Sequence, residues 1–216
     1  NTGLTGVNGG FVSFQAGGDI ATGSIFTDGG TQGGGGNIQI QANGTVTVAP
    51  NQFIDSGTFG SGNGGDLSIT GRSIEVGEGA QLLTSTIAAG NAGRITLQAA
   101  DTGSIQLRSG SVLDAAAFGS ATGSAASISL FGGTLSLTDT EVYADVTNGD
   151  SAGGPVTLTA ASGGISLVNS NIFTGTTGNG AAGAVNVTTL SGGDITLTNT
   201  AIFSDTTGVG FGGNVN

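Results

Sequence analysis

The chain repeats itself about every 29 residues from one end to the other. A period of that size means one supersecondary unit per repeat, each able to bury its apolar face only against its neighbours. A pair of apolar residues followed by small or acidic ones marks the register: Ile25-Phe26, Phe53-Ile54, Leu82-Leu83, Val112-Leu113, Val142-Tyr143, Ile172-Phe173 and Ile202-Phe203. Two alternating triplets precede this pair in each unit. The first is Val12-Ser13-Phe14, Ile38-Gln39-Ile40, Leu67-Ser68-Ile69, Ile95-Thr96-Leu97, Ile128-Ser129-Leu130, Val156-Thr157-Leu158 and Val185-Asn186-Val187. The second is Val46-Thr47-Val48, Ile74-Glu75-Val76, Ile105-Gln106-Leu107, Leu135-Ser136-Leu137, Ile165-Ser166-Leu167 and Ile195-Thr196-Leu197, with a degraded first copy at Ile20-Ala21-Thr22.

Period-two alternation of β-branched and apolar residues is the pattern of a half-buried strand, and no window carries the spacing of an amphipathic helix. The stretches between the stations are Gly, Ser, Asn and Asp, which turn a chain. Three short strands per unit predict one coil of a parallel β-helix, an all-β fold of about seven coils with open ends. Units begin near positions 11, 37, 66, 94, 127, 155, 184 and 214, and the length variation falls in Gly-rich corners such as 33–36 and 121–126. At the spacing of neighbouring strands, seven coils give a rod ~34 Å tall. Like should stack on like: Val12, Ile38, Leu67, Ile95, Ile128, Val156, Val185 and Val215 form one inner column, and Ser13, Gln39, Ser68, Thr96, Ser129, Thr157 and Asn186 form an outer polar ladder. No linker interrupts the repeat, so 1–216 reads as a single solenoid. The 45 glycines with two prolines would otherwise suggest disorder. The regular triplets overrule that reading, and the lack of a Gly-X-Y period excludes collagen.

Net charge is −11, from 14 acids against three arginines. A nucleic-acid-binding surface needs basic residues, and an anionic membrane repels such a chain. No apolar stretch reaches membrane-spanning length. The absence of His, Cys and Lys removes zinc sites, thiol nucleophiles, Ser-His-Asp triads, Schiff-base chemistry and the phosphate-loop lysine. No catalytic or cofactor-binding residue is expected, and the chain does not read as an enzyme.

Carboxylates are the remaining chemistry. The repeat places Asp28, Asp145 and Asp205 in one column and Asp55 and Asp114 in the next, with no two adjacent coils bearing acids in one column. That disfavours paired-carboxylate hydrolysis of a glycan. Corners such as Asn148-Gly149-Asp150, and Gly64-Gly65-Asp66 and Gly192-Gly193-Asp194, leave room for weak calcium binding through oxygen ligands, although ordinary turns account for them. Arg72, Arg94 and Arg108 lie near Glu75, Glu78 and Asp101, where surface ion pairs are expected. Thr84, Thr86, Thr174, Thr176, Thr177, Thr206 and Thr207 fall on one face, but Gly29, Gly57, Ala116 and Val146 break the array an ice-binding surface would need.

Two consecutive apolar residues cannot both point inward from one strand. One column of the third station, Phe26, Ile54, Leu83, Leu113, Tyr143, Phe173 and Phe203, is therefore a candidate outward stripe and interface. The competing and favoured expectation is that the chain bends there and buries both columns.

Segments such as Ser85-Thr86-Ile87-Ala88-Ala89-Gly90-Asn91-Ala92-Gly93-Arg94-Ile95-Thr96-Leu97, and Thr58-Phe59-Gly60-Ser61-Gly62-Asn63-Gly64-Gly65-Asp66-Leu67-Ser68-Ile69, resemble the repeats of filamentous-haemagglutinin-like exoproteins. The likeness is to the large cyanobacterial ones, similar to secreted partners of two-partner secretion systems. It covers nearly the whole chain. The family's secretion domain with its Asn-Pro motif is not visible, and no Asn-Pro dipeptide occurs. The resemblance implies a right-handed parallel β-helix, a cell-surface or extracellular location, and adhesive or matrix-forming roles, with no catalytic residues to transfer. The expected function is an extracellular structural or adhesive fibre segment. Its expected partners are further coils, end to end, laterally or in a longer chain, and surface glycans. The absence of a polar cap at either end, from the opening Asn1-Thr2-Gly3-Leu4 onward, fits a piece of a longer array. The alternatives are a polysaccharide-acting β-helix enzyme and an ice- or glycan-binding module.

Overall fold

A computed structural model describes residues 7–118 and 122–216; the opening Asn1 to Leu4 and Ala121 lie outside the described residues. Among these there is no helix. Three parallel sheets of seven strands each run the length of the chain, every strand pairing with its equivalents in the coils before and after. The result is a β-solenoid of about seven coils. The first sheet holds Val12–Ala16, Ile38–Ala42, Leu67–Gly71, Ile95–Ala99, Ile128–Gly132, Val156–Ala160 and Val185–Thr189. The second holds Ile20–Thr22, Thr45–Val48, Ser73–Val76, Ser104–Leu107, Thr134–Thr138, Ile165–Val168 and Ile195–Thr198. The third holds Ile25–Phe26, Phe53–Asp55, Gln81–Leu83, Val112–Asp114, Glu141–Tyr143, Asn171–Phe173 and Ala201–Phe203.

Registers in the first two sheets are those the triplets predict. Val12, Ile38, Leu67, Ile95, Ile128, Val156, Val185 and Val215 stand in one column, and Ser13 through Asn186 form the outer ladder beside it. In the middle coils every inward residue of these strands is fully buried; Ile40, Ile69, Leu97 and Leu130, stacked one on another, are all inaccessible to solvent. The same columns emerge into solvent on the first and last coils, where Phe14 is 45% exposed and Leu197 49%. Burial thus depends on having a coil on both sides, as a solenoid requires.

Polar side chains set the corners. Between the second and third sheets the backbone turns through a left-handed residue in six successive coils: Asn51, Gly79, Gly110, Asp139, Asn169 and Asn199. Only Gly, Asn and Asp visit that region cheaply, which is why this position alternates among those three. Their side chains then interlock, Asn199 Nδ2 donating to Asn169 Oδ1 (3.1 Å) and Asn169 Nδ2 to Asp139 Oδ1 (2.9 Å). A second ladder follows the glycine-rich stretch: Asn63 Oδ1 accepts from the Asn91 backbone N–H and Asn91 Oδ1 from that of Ser124, each at 2.9 Å. The Asn of the Gly-Asn-Ala-Gly motif is therefore a rung between coils.

The glycine-rich stretch after the third sheet is more than a corner. Among the described residues the chain leaves the third sheet and returns to a closed neck. Backbone N–H groups of Gly36, Gly65, Gly93, Ala126, Gly154, Gly183 and Gly213 donate to the carbonyls of Thr27, Ser56, Thr84, Ala115, Ala144, Thr174 and Ser204. Side-chain hydroxyls lock four of these necks, Thr27, Ser56, Thr84 and Thr174 donating to the carbonyls of Gly36, Gly65, Gly93 and Gly183 at 2.5–2.8 Å. The excursions stack by parallel bridges, Gly29–Thr58–Thr86–Ala117 and Val146–Thr176–Thr206, joined by the two-residue strands Ala117–Phe118 and Val146–Thr147. Together they form a thin fin along one edge of the rod. Its glycines are required by close approach: a Cβ on Gly65, Gly93, Gly183 or Gly213 would overlap the carbonyl of the glycine one coil before.

Candidate functional site

The fin leaves the third sheet beside its outward column, and clefts open between the two, one around coils two and three and one around coils five to seven. One wall is the outward column of the third sheet. The registers Phe26↔Asp55, Asp55↔Leu83, Leu83↔Asp114, Asp114↔Tyr143, Tyr143↔Phe173 and Phe173↔Phe203 fix its members. Three of the wall's rings form a stack, Tyr143 on Phe173 at 4.9 Å and Phe173 on Phe203 at 5.0 Å, within 9° of parallel.

This corrects the expected stripe at two places. Ile54 and Leu113 are fully buried and belong to the inward column Ile25, Ile54, Leu82, Leu113, Val142, Ile172 and Ile202. Asp55 and Asp114 stand in their place, while Phe26, Leu83, Tyr143, Phe173 and Phe203 do face outward. The favoured expectation of a bend burying both columns also fails. The third strand keeps strict alternation, so one member of each pair points in and the other out.

The residue two places beyond the wall forms the groove floor, and the fin forms the opposite wall. Around coils two and three a cleft of about 350 Å3 is lined by Asp55, Gly57, Leu83 and Ser85 together with Phe59 and Ile87 of the fin. Around coils five to seven the equivalent cleft, about 390 Å3, is lined by Phe173, Phe203, Asp145, Gly175 and Asp205, with Thr177 and Thr207 of the fin. Phe59 is 61% exposed and Ile87 50%. Apolar surface thus sits on the fin side in the lower half and on the sheet side in the upper half.

The groove acids are held in an unfavourable environment. Burial pushes the Asp114 carboxyl up to about 6; the neighbouring charges of Asp145 and Asp55 add to the shift, against a hydrogen bond from the Ala116 N–H to Oδ1 (2.9 Å). Asp55 is raised by burial and by Asp28, with Gly57 N–H donating to its Oδ1 at 2.8 Å. Burial raises Asp145 as well, opposed by the Thr147 hydroxyl on its Oδ2. The Oδ1 atom of Asp145 is buried without a partner in another residue. Asp114 and Asp145, on adjacent coils, therefore feel each other across two neighbouring columns, a coupling that inspection of single columns misses. The Tyr143 hydroxyl donates to Glu141; burial and that carboxylate hold the phenol above its ordinary value.

The other sequence candidates are structural in their contacts. Thr84, Thr86, Thr174 and Thr176 are buried inside the neck and fin, leaving Thr177 and Thr207 on the outer face, so the threonines do not form one exposed array. Asp66 Oδ1 accepts the Arg94 N–H and Asp150 Oδ1 the Asn179 N–H, each at 2.9 Å, so these corner acids act as rungs between coils. Among the described residues no group of three or more metal-ligating side chains converges. Arg108 meets Glu75 at 3.3 Å on the exposed second sheet, as expected for a surface ion pair. A wider polar groove of about 1070 Å3 runs on the other side of the fin past Asn63, Asp66, Asn91 and Arg94. Its Asn and Asp oxygens are engaged in the ladder.

Comparison with protein-family models, with curated proteins and with solved structures returned no match.

Proposed function

We propose that the chain is a shaft segment of an extracellular fibre, a rigid β-solenoid whose function is reach, stiffness and surface for adhesion. The observation that carries this reading is the unbroken pairing of three seven-stranded parallel sheets along one axis. Such an array leaves few backbone groups open to a protease and bends only by breaking many hydrogen bonds together. The acidic, Cys-free composition fits a chain that is exported unfolded and stays soluble outside the cell. The resemblance of the Gly-Asn-Ala-Gly units to filamentous-haemagglutinin-like repeats supports the same location and role.

Electron microscopy of the full-length native protein tests this reading. Rods or filaments with a cross-section of one coil are expected, accessible to antibody on intact cells. Compact particles, or antibody access only after lysis, would overturn it.

A further inference from the structure

The groove at the base of the fin differs from the rest of the rod. Elsewhere on the surface Glu75 pairs with Arg108, and Asp19, Asp66, Asp139 and Asp150 accept hydrogen bonds from a neighbouring coil. Here Asp55, Asp145 and Asp205 line clefts that also hold apolar side chains, Asp114 stands in the wall column between Leu83 and Tyr143, and none of the three arginines lines either cleft. Carboxylates in a partly dry, apolar channel are complementary to a ligand that brings positive charge and apolar surface together.

That chemistry separates four classes of occupant. A glycan would need free aromatic faces, and the faces of Tyr143, Phe173 and Phe203 are largely turned toward one another in the stack, leaving mainly their edges to the groove. A second copy of this rod would bring a net charge of −11 against the same acids. A bare metal ion would need converging ligands, and no group of three forms among the described residues. A peptide carrying lysine or arginine satisfies both halves of the site: its ammonium or guanidinium groups reach the carboxylates, and its apolar side chains and aliphatic stems lie against Phe59, Ile87 and the ring edges. In an extended peptide, alternate side chains point the same way.

We propose that this groove binds an extended cationic peptide segment, lying along the rod axis, in which lysine or arginine alternates with apolar residues. The bound segment would be a partner protein's tail or loop. It need not be part of a fibre, so filament imaging and peptide binding fail independently.

The test is fluorescence anisotropy at physiological salt with the whole chain and a labelled dodecapeptide alternating Lys and Leu. A Lys-Gly peptide of equal charge, a Glu-Leu peptide and a neutral β-1,4-glucan hexamer are the comparators. The Lys-Leu peptide is expected to bind about tenfold tighter than Lys-Gly, the ratio expected for ~1.4 kcal/mol of apolar contact. Asp114→Asn combined with Asp145→Asn should weaken it about tenfold or more, while Glu78→Gln, an exposed acid outside the two clefts, leaves it unchanged. Thr177→Lys, on the exposed face of the fin, should block binding without touching the core, and it serves if the double variant does not fold. Equal binding of Lys-Leu and Lys-Gly, equal effects of the groove and Glu78 variants, or binding of the glucan in place of the peptide would each overturn the proposal.

Discussion

Replacing Gly93 by alanine tests whether glycine is demanded by coil-to-coil contact rather than by turning. The Gly93 N–H donates to the Thr84 carbonyl at 2.8 Å, and its own carbonyl accepts the Thr84 hydroxyl at 2.5 Å. A Cβ would overlap the Gly65 carbonyl oxygen and come within 2.5 Å of its carbon, both backbone atoms that no rotamer change can remove. Relief requires the coils to part at the neck by roughly an ångström, which spoils both neck hydrogen bonds at ~1 kcal/mol each. Loosened packing of the columns beside them adds ~1–2 kcal/mol. The expected destabilisation is thus ~3–4 kcal/mol, near the upper end for single substitutions. Gly18→Ala is the control, because a Cβ there meets nothing within 4 Å, and it should stay within about 0.5 kcal/mol of the parent. Gly110→Ala separates the two roles of glycine. Its site admits a Cβ at ordinary contact distance from Gly79 but is left-handed at φ 74°, so its cost should be ~1–2 kcal/mol. Urea unfolding followed by far-ultraviolet circular dichroism measures all three. If Gly93→Ala unfolds within 0.5 kcal/mol of Gly18→Ala, the neck is not close-packed and this account of the fin is wrong.

Thr84→Val keeps the shape and removes the neck hydroxyl; a loss of ~1–2 kcal/mol is expected, and Thr84→Ser should restore most of it in the same unfolding assay. Burial pushes the Asp114 carboxyl up to about 6 from its ordinary 3.8, so its charged form destabilises the native state above pH 6, and that penalty is relieved as pH falls from 6 toward 4. The urea midpoint should therefore rise between pH 7.5 and pH 5, by the equivalent of ~1–2 kcal/mol after allowance for the solvent contact the carboxylate keeps. Asp114→Asn, which retains an acceptor for the Ala116 N–H, should flatten that dependence; an unchanged slope would contradict the burial of this group. Asp55→Leu copies Leu83, which occupies the same column one coil on, and is expected to leave stability equal or higher by up to ~1 kcal/mol. Clear destabilisation would mean that the carboxylate is needed by the coil.

The two triplets were legible because alternation is a geometric property of a strand: Ile38-Gln39-Ile40 has one arrangement in which both isoleucines leave water. The third station was not, and the reason lies in its pairs. In Leu82-Leu83 the first residue points inward, whereas in Phe53-Ile54 and Val112-Leu113 the second does, and apolarity alone does not tell the members apart. A phase marker was nevertheless present. The inward residue always stands two places before the neck residue, as in Ile54 before Ser56, Leu82 before Thr84 and Ile172 before Thr174, and a glycine follows the neck residue nine places on in those coils. Glycine suggests turning, so the sequence alone presents the fin as a corner. Here most fin glycines are read better as the absence of a side chain where another backbone passes. The groove followed from neither pattern, since its floor and walls come from different columns and meet only where the fin leaves the sheet.

That junction also separates what the coil requires from what it merely carries. The inner columns are uniform because any polar residue there would lose its water without a partner. The groove wall is not uniform: it runs Phe, Asp, Leu, Asp, Tyr, Phe, Phe from Phe26 to Phe203. Asp55 and Asp114 each cap an N–H two residues on, yet the coils with Leu83, Tyr143 and Phe173 at that position close in the same register without such a cap. The carboxylates are therefore not a condition of folding, and burial makes them mildly costly. An apolar residue in their place would extend the neighbouring stack. The coil itself gives no reason for these carboxylates, which sets this one channel apart from the regular surface around it and makes it the place where a binding role can be tested separately from the fold.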